Sequence, residues 1–440
     1  MIVIHSISIN FLGLEKFQLL CVSFFMRSTK KFTTNYAIRL LTWVLFGMFT
    51  NLFRIKKNLP SEVKKLKPPY LVLGNHVGFW DPFIIGHFLP YFTHFISSDA
   101  TFRNPIIRFF LTRLGTIPIK KNTRDIKAVK DIITVIRQGE NVGIFPEALR
   151  TWSGSSFKID ASIVKLIKFL NVPVVVPVLK GMNLFNPRWS TKLRYTKVEV
   201  DYKLVITSES LKNLSDNEIY TELTNALFHD EVAYQQKRMN IIYSSYKAEH
   251  IGYALYVCPN CKAIDCFRAV GNDFTCDCCQ YDIHINKFGF FERKSSGNLF
   301  FDNIRDWYYW EEKWLINYVN AKYESKSTTV IFEDKNSKFY HSNSIGNMDF
   351  IDNVNLKLFI DKIEIEFHSK KEIRVLNFKD LQTINPQINE RLEVYYEKEA
   401  YRFVGQKNGV SGLKWEVAVN ALWKKTGQDH KLSVYIEQGN

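Results

Sequence analysis

His76 and Asp81, with four residues between them, are the side chains best suited to chemistry. They stand in Asn75-His76-Val77-Gly78-Phe79-Trp80-Asp81, between the apolar run Tyr70-Leu71-Val72-Leu73-Gly74 and Pro82-Phe83-Ile84-Ile85. An imidazole can take a proton from a hydroxyl, and a nearby carboxylate can hold the ring in one tautomer and stabilise the imidazolium. The plainer alternative is a loop histidine beside a helix cap. A second segment, Phe145-Pro146-Glu147-Ala148-Leu149-Arg150-Thr151, follows the apolar run Val142-Gly143-Ile144. Glu147 and Arg150 suit a polar or phosphorylated ligand, since a guanidinium can grip phosphate as a fork. A simple ion pair between them also fits the spacing.

These residues need a frame that brings two loops together. The run before His76 is short, apolar and closed by glycine, as in a buried strand. Asp81-Pro82 reads as a helix start, with the carboxylate at the cap and proline in the first turn. Residues 142–145 form another strand ending at a chemical loop. Helices are expected over 104–114, over 123–138 with Thr123 as cap and Gly139 as stop, and over 158–170. Residues 198–206 alternate as a strand does. The expected fold is α/β, a mostly parallel sheet with flanking helices, whose ligands gather at the carboxyl edge of the strands.

Together the segments resemble the glycerolipid acyltransferase superfamily, and within it the 1-acylglycerol-3-phosphate acyltransferases. The first family motif, Asn-His, four residues, then Asp, is matched by Asn75, His76 and Asp81. The third, Phe-Pro-Glu-Gly-x-Arg-Ser, is matched at Phe145, Pro146, Glu147 and Arg150. The second and fourth look like residues 115–121 and 172–178. The resemblance covers residues 30–240 and has three departures: Ala148 for glycine, Lys121 for arginine and Thr151 for serine. Ala148 changes the backbone freedom of its loop, and Lys121 holds phosphate as a point charge.

By that resemblance His76 is the general base and Asp81 orients it. Asn75, Lys121, Glu147 and Arg150 bind substrate. The acyl donor is a thioester of coenzyme A or acyl carrier protein. The acceptor is a lysophospholipid, with 1-acylglycerol-3-phosphate giving phosphatidic acid. Another lysolipid acceptor, or an inert lipid- or nucleic-acid-binding scaffold, remains as the alternative.

The chain has 440 residues, a formal charge of +15 and an aromatic content of 15%, which suits an anionic partner. Residues 36–53 are strongly apolar, yet their uncharged part is shorter than the roughly 20 residues a span requires. An interfacial helix fits better, followed by the basic flank Arg54, Lys56, Lys57, Lys64, Lys65 and Lys67. A peripheral or monotopic place on the cytoplasmic face of the cell membrane, against anionic lipids, is expected. Residues 9–25 read either as a second membrane-contacting helix or as an over-extended gene start before Met26, and carry no signal-peptide pattern.

Seven cysteines are present, six of them between Cys258 and Cys279. Cys258 and Cys261, with Cys276 and Cys279, make two Cys-x-x-Cys knuckles that resemble a zinc ribbon and predict a closed, structural zinc site. Cys266 and Cys278 are left over as ordinary small residues, although Cys278 could replace one partner in the second knuckle. A disulfide framework is the competing reading. Around the knuckles Lys262, Arg268 and Lys287 make no dense basic run, which argues against nucleic acid and for a scaffold role.

Beyond the ribbon, residues 307–314 read as an aromatic helix, 362–367, 392–396 and 401–404 as strands, and 415–424 as a closing helix with one apolar stripe. Strands ended by one helix suggest a pleckstrin-homology-like module. The expected organisation is membrane-associating helices (1–67), the acyltransferase-like domain (68–245), the ribbon (250–292) and a β-rich tail (300–440).

Overall fold

A computed structural model describes residues 32–119, 125–147, 149–343, 348–386, 391–406 and 410–433. It divides into two units. The first holds residues up to Thr151, Ser156–Asn183 and Lys197–Tyr234. The second holds Trp152–Ser155, Leu184–Thr196 and the chain from Gln235 onward.

The first unit is built on a seven-stranded sheet. Its strands are β1 (Lys56–Asn58), β2 (Leu71–Leu73), β3 (Thr93–Ser98), β4 (Ile117–Ile119), β5 (Asn141–Ile144), β6 (Val174–Lys180) and β7 (Glu199–Ile206). Their order across the sheet is β1-β7-β6-β2-β5-β3-β4. From β6 to β4 all neighbours run parallel, whereas β7 runs antiparallel to β6. The middle strands β2 and β5 are buried at every position, which is why they read as unbroken apolar runs.

Helices α1 (Tyr36–Leu52), α2 (Asp81–Phe88), α3 (Pro105–Arg113), α4 (Ile126–Arg137), α5 (Ser162–Leu170) and α6 (Asp216–Leu227) belong to this unit. Asn104 caps α3 by accepting the N–H groups of Ile106 and Ile107. Two expected boundaries shift. The cap of α4 is Asp125, which accepts the N–H of Ala128 at 3.1 Å; Thr123 lies outside the described residues. Helix α5 begins at Ser162, not at 158, because residues 158–161 form the approach to it. Helix α6 carries a reciprocal capping box, Ser215 with Glu218.

No helix among the described residues is long and apolar enough to cross a membrane. Helix α1 instead exposes Leu41, Leu45, Met48 and Leu52 at helical spacing along one stripe. Its other side packs on α2, with Phe46 stacked on Phe83 at 4.7 Å and Phe49 on Trp80 at 5.3 Å. The segment 9–25 lies outside the described residues.

In the second unit, β8 (Phe267–Val270), β9 (Asp273–Cys276), β10 (Asp282–Ile285) and β11 (Phe291–Arg293) form an antiparallel sheet. It is too small to bury much by itself. Helix α7 (Ile304–Glu324) supplies the missing core by inserting Trp307 among Phe267, Phe274, Tyr281, Phe291 and Phe301. The Trp307 indole N–H donates to the Val257 carbonyl, and buried Glu311 accepts the N–H groups of Tyr256 and Val257.

The tail sheet has the order β15-β14-β13-β12-β18-β17-β16. Its strands are β12 (Phe332–Ser342), β13 (Met348–Leu358), β14 (Lys362–Phe367), β15 (Ile373–Asn377), β16 (Leu381–Pro386), β17 (Arg391–Tyr396) and β18 (Glu399–Val404). All neighbouring pairs are antiparallel, and β15 and β16 form the two edges. Helix α8 (Leu413–Lys425) closes it, as the sequence indicates. The single apolar stripe does not hold, since α8 is buried on all sides from Leu413 to Trp423. Polar Lys414 is tolerated there because Asp265 and Asp334 both accept from its ammonium.

Candidate active site

Strands β2 and β5 lie side by side, with Leu73 opposite Ile144, so the loops leaving their carboxyl ends emerge together. The N–H of Thr151 donates to the carbonyl of His76 at 3.1 Å and ties the two loops directly. His76, Asp81, Glu147 and Arg150 are all buried at this edge.

Nδ1 of His76 lies 2.8 Å from Oδ2 of Asp81. The same oxygen accepts the N–H groups of Val77 at 2.6 Å and Gly78 at 2.8 Å. Three donors on one oxygen close the loop into a tight cup around the carboxylate. This places Asp81 at the first helical position of α2, with Trp80 at the cap. The expected capping role is therefore corrected: the carboxylate turns back to the loop and the ring.

Because Asp81 is an acceptor, the network assigns the ring proton to Nδ1 and leaves the lone pair on Nε2. Nε2 is buried and has no hydrogen-bond partner among the described residues. Burial holds the imidazole down to about 4, although the Asp81 hydrogen bond and charge favour the protonated form and the Arg150 charge opposes it. At neutral pH the ring is an uncharged base. Phe145 covers one face of it, with ring centroids 4.3 Å apart.

Asn75, expected to contact substrate, is hydrogen-bonded to β6. Its Oδ1 accepts the N–H of Leu179 at 2.7 Å, and its Nδ2 donates to the Leu179 carbonyl at 3.1 Å. Both ends of the amide are thus occupied by β6. They fasten the β2 loop to the next strand just before His76.

Glu147 accepts the N–H of Phe157 at 3.3 Å. Burial pushes its carboxyl up to about 8, against the Phe157 N–H, the Ser156 hydroxyl and the His76 backbone, while the Asp81 charge pushes the same way as burial. Arg150 is also buried, and burial lowers its guanidinium from the ordinary value while the Asp81 charge raises it. Lys121 and Ala148 lie outside the described residues. The Phe145–His76 stack was not legible as a contact, and its one signal in sequence is an aromatic residue at the end of the strand neighbouring β2.

A second candidate centre sits in the ribbon. The sulfurs of Cys258, Cys261, Cys276 and Cys279 all lie within 4.8 Å of one another. Cys258 to Cys279 and Cys261 to Cys276 are each 3.7 Å. A tetrahedral zinc with bonds near 2.3 Å requires sulfur edges of about 3.8 Å, so the set fits that ion. The two knuckles share one geometry. Lys262 (φ 63°) and Gln280 (φ 58°) follow them in the left-handed region and donate to the carbonyls of Cys258 and Cys276. This repeat selects Cys279 over Cys278 for the second knuckle. Cys266 and Cys278 are not ordinary small residues but are joined as a disulfide, brought together as the Asp277 N–H reaches the Cys266 carbonyl.

Residues 52–180 match the family model described as Acyltransferase, so the chain carries an acyltransferase-family domain, and this stretch holds His76, Asp81, Glu147 and Arg150. The chain is 28% identical over 127 residues to the 1-acyl-sn-glycerol-3-phosphate acyltransferase of Bacillus subtilis, covering 29% of this chain and 60% of that protein. It is 24% identical over 127 residues to the enzyme of the same description from Borreliella burgdorferi, covering 28% and 51%. The chain thus spans between half and two thirds of the length of these relatives. Among solved structures it is similar to the 1-acyl-sn-glycerophosphate (LPA) acyltransferase of Thermotoga maritima, at 16% identity and a TM-score of 0.39, over 52% of this chain and 90% of that one. The N-terminal PH domain of Vps36 matches at 19% identity and a TM-score of 0.19, over 23% and 84%.

Proposed function

We propose that the chain moves a fatty acyl group from an acyl thioester to the free hydroxyl of 1-acylglycerol-3-phosphate, giving phosphatidic acid. The observation that carries this reading is His76, held at Nδ1 by Asp81 with its Nε2 lone pair unengaged among the described residues. Nε2 takes the proton of the acceptor hydroxyl as its oxygen attacks the thioester carbonyl. The tetrahedral intermediate collapses with cleavage of the carbon–sulfur bond. The imidazolium returns the proton to the departing thiolate, so the carrier leaves as a thiol. Asp81 stabilises the transient imidazolium.

Arg150 and Lys121 attract the acceptor phosphate. Glu147, largely protonated at neutral pH, hydrogen-bonds a glycerol oxygen. The apolar stripe of α1 and the exposed basic residues after it support a peripheral seat on the anionic cytoplasmic face of the cell membrane. The ribbon cysteines would hold one structural zinc ion.

The test is incubation of the purified chain with lysolipids bearing phosphate, larger or no head groups, each with acyl-coenzyme A or acyl carrier protein thioester. Phosphatidic acid should dominate, and Arg150→Ala should weaken use of the phosphorylated acceptor more than use of a neutral one. Preferred acylation of a neutral or amine-bearing acceptor would replace this substrate assignment.

A further inference from the structure

We infer that Phe145 is a positioning residue for His76: its ring, backed by that of Phe95, fixes the plane of the imidazole and thereby the direction in which Nε2 presents its lone pair. The inference rests on the proposed role of His76 as base and adds a residue to that site.

The rings of His76 and Phe145 stack at 22° with centroids 4.3 Å apart. Phe145 in turn stacks on Phe95 at 21° and 5.9 Å. His76 follows β2, Phe145 follows β5 and Phe95 lies in β3, and these three strands are consecutive across the sheet. The stack therefore runs across the sheet, one ring per strand. Two glycines make room for it. A Cβ on Gly143 would stand 2.4 Å from the Phe95 ring, and one on Gly74 would stand 3.1 Å from the Phe145 ring. Gly143 lies within central strand β5 and Gly74 directly follows β2, and glycine at each leaves room for the neighbouring ring.

The stack supplies a constraint that Asp81 cannot. The bond at Nδ1 fixes one ring atom, but rotation about that contact remains, and the terminal torsion of histidine is broad. A flat aromatic face at van der Waals distance restricts that rotation. Phe145 is also fully buried, so it keeps water from that face of the ring. Misplacing a reacting group by about 1 Å costs roughly a hundredfold in rate.

Phe145→Leu keeps apolar bulk and removes the flat face. Phe95→Leu leaves the contact with His76 intact and removes its backing. Each variant is assayed over a range of concentrations of both substrates, and the His76 ring is followed by NMR of histidine-labelled protein in the absence of substrate. Phe145→Leu should lower kcat about 10- to 100-fold with KM for both substrates within about twofold. The His76 Cε1 proton should lose its upfield ring-current displacement and titrate nearer the ordinary histidine range. Phe95→Leu should produce the same changes more weakly, and carries the test if Phe145→Leu does not fold. An unchanged kcat, or a lost kcat with unchanged His76 resonance and titration, would overturn the inference. His76→Gln, run alongside, separates the two claims. Full turnover in that variant removes His76 as base, whereas the resonance in Phe145→Leu reads the stacking by itself.

Discussion

Oδ2 of Asp81 lies 2.8 Å from Nδ1 of His76 and accepts two backbone N–H groups of the same loop. One oxygen therefore sets both the shape of the loop and the tautomer of the ring. An amide oxygen could accept the same donors, but it carries no charge to stabilise an imidazolium, and its NH₂ group can turn to the ring and impose the other tautomer.

Asp81→Asn should consequently lower kcat by roughly 10²- to 10⁴-fold, through loss of the correct tautomer and of imidazolium stabilisation. Steady-state kinetics with a melting curve check this. A variant with near-normal turnover and an intact melt would mean that Asp81 serves the loop alone.

The pH dependence has two opposing parts. His76 is held at about 4 in the folded chain, against an ordinary 6.5. Between those values the unfolded chain binds a proton that the folded chain does not, so stability should rise with pH across that window. Glu147 is held at about 8, against an ordinary 4.5. There the folded chain binds the extra proton, so its contribution is complete below 4.5 and is lost as pH rises towards 8. Above 6.5 the His76 slope is spent, while Glu147 still contributes beside Glu312 and Asp334, whose carboxyls burial also pushes up, to about 8 and about 7, so melting temperature should decline towards pH 8 and Glu147→Gln should make that decline shallower. The acid limb of kcat/KM should likewise fall well below 6.5. An acid limb at the ordinary histidine value would contradict the burial of the base.

How much of this was legible in the chain follows physical lines. Strands β2 and β5 are buried on both faces, so their apolar runs and the loops after them stand out in sequence. The helix over 104–114 and the strands β17 and β18 were legible for similar local reasons. Contacts set by the sheet order were not. Asn75 reaches Leu179, 104 positions away, and nothing local announces that its amide is occupied there. The Phe145 stack likewise depends on β2 and β5 being neighbours. Helix α8 misled because a helix buried on all sides, with Lys414 neutralised by two aspartates, does not keep one apolar stripe.

The ribbon should carry one zinc ion per chain, measured by elemental analysis of protein purified without chelator. Cys276→Ser should reduce that content and lower the melting temperature of the second unit, because Trp307 of α7 packs on strands that the knuckles hold. Stoichiometric zinc retained by the serine variant would exclude Cys276 as a ligand.

Helix α1 offers a separate test of the membrane seat. Leu45 is 53% and Met48 66% exposed, and burying that remaining surface in an acyl layer is worth roughly 1–2 kcal/mol each. Leu45→Glu with Met48→Glu should weaken flotation with anionic vesicles at least about tenfold, while turnover of a short-chain soluble acceptor stays normal. Undiminished flotation would assign membrane binding to another surface.

The most direct measurement of the central claim is phosphatidic acid formation from lysophosphatidic acid and an acyl thioester, by purified wild-type protein and by folded His76→Ala. The wild type should release one carrier thiol for each phosphatidic acid formed, and His76→Ala should fall by roughly 10²- to 10⁴-fold. Wild-type protein that releases no thiol and forms no acylated lipid, or a folded His76→Ala that turns over normally, would contradict it.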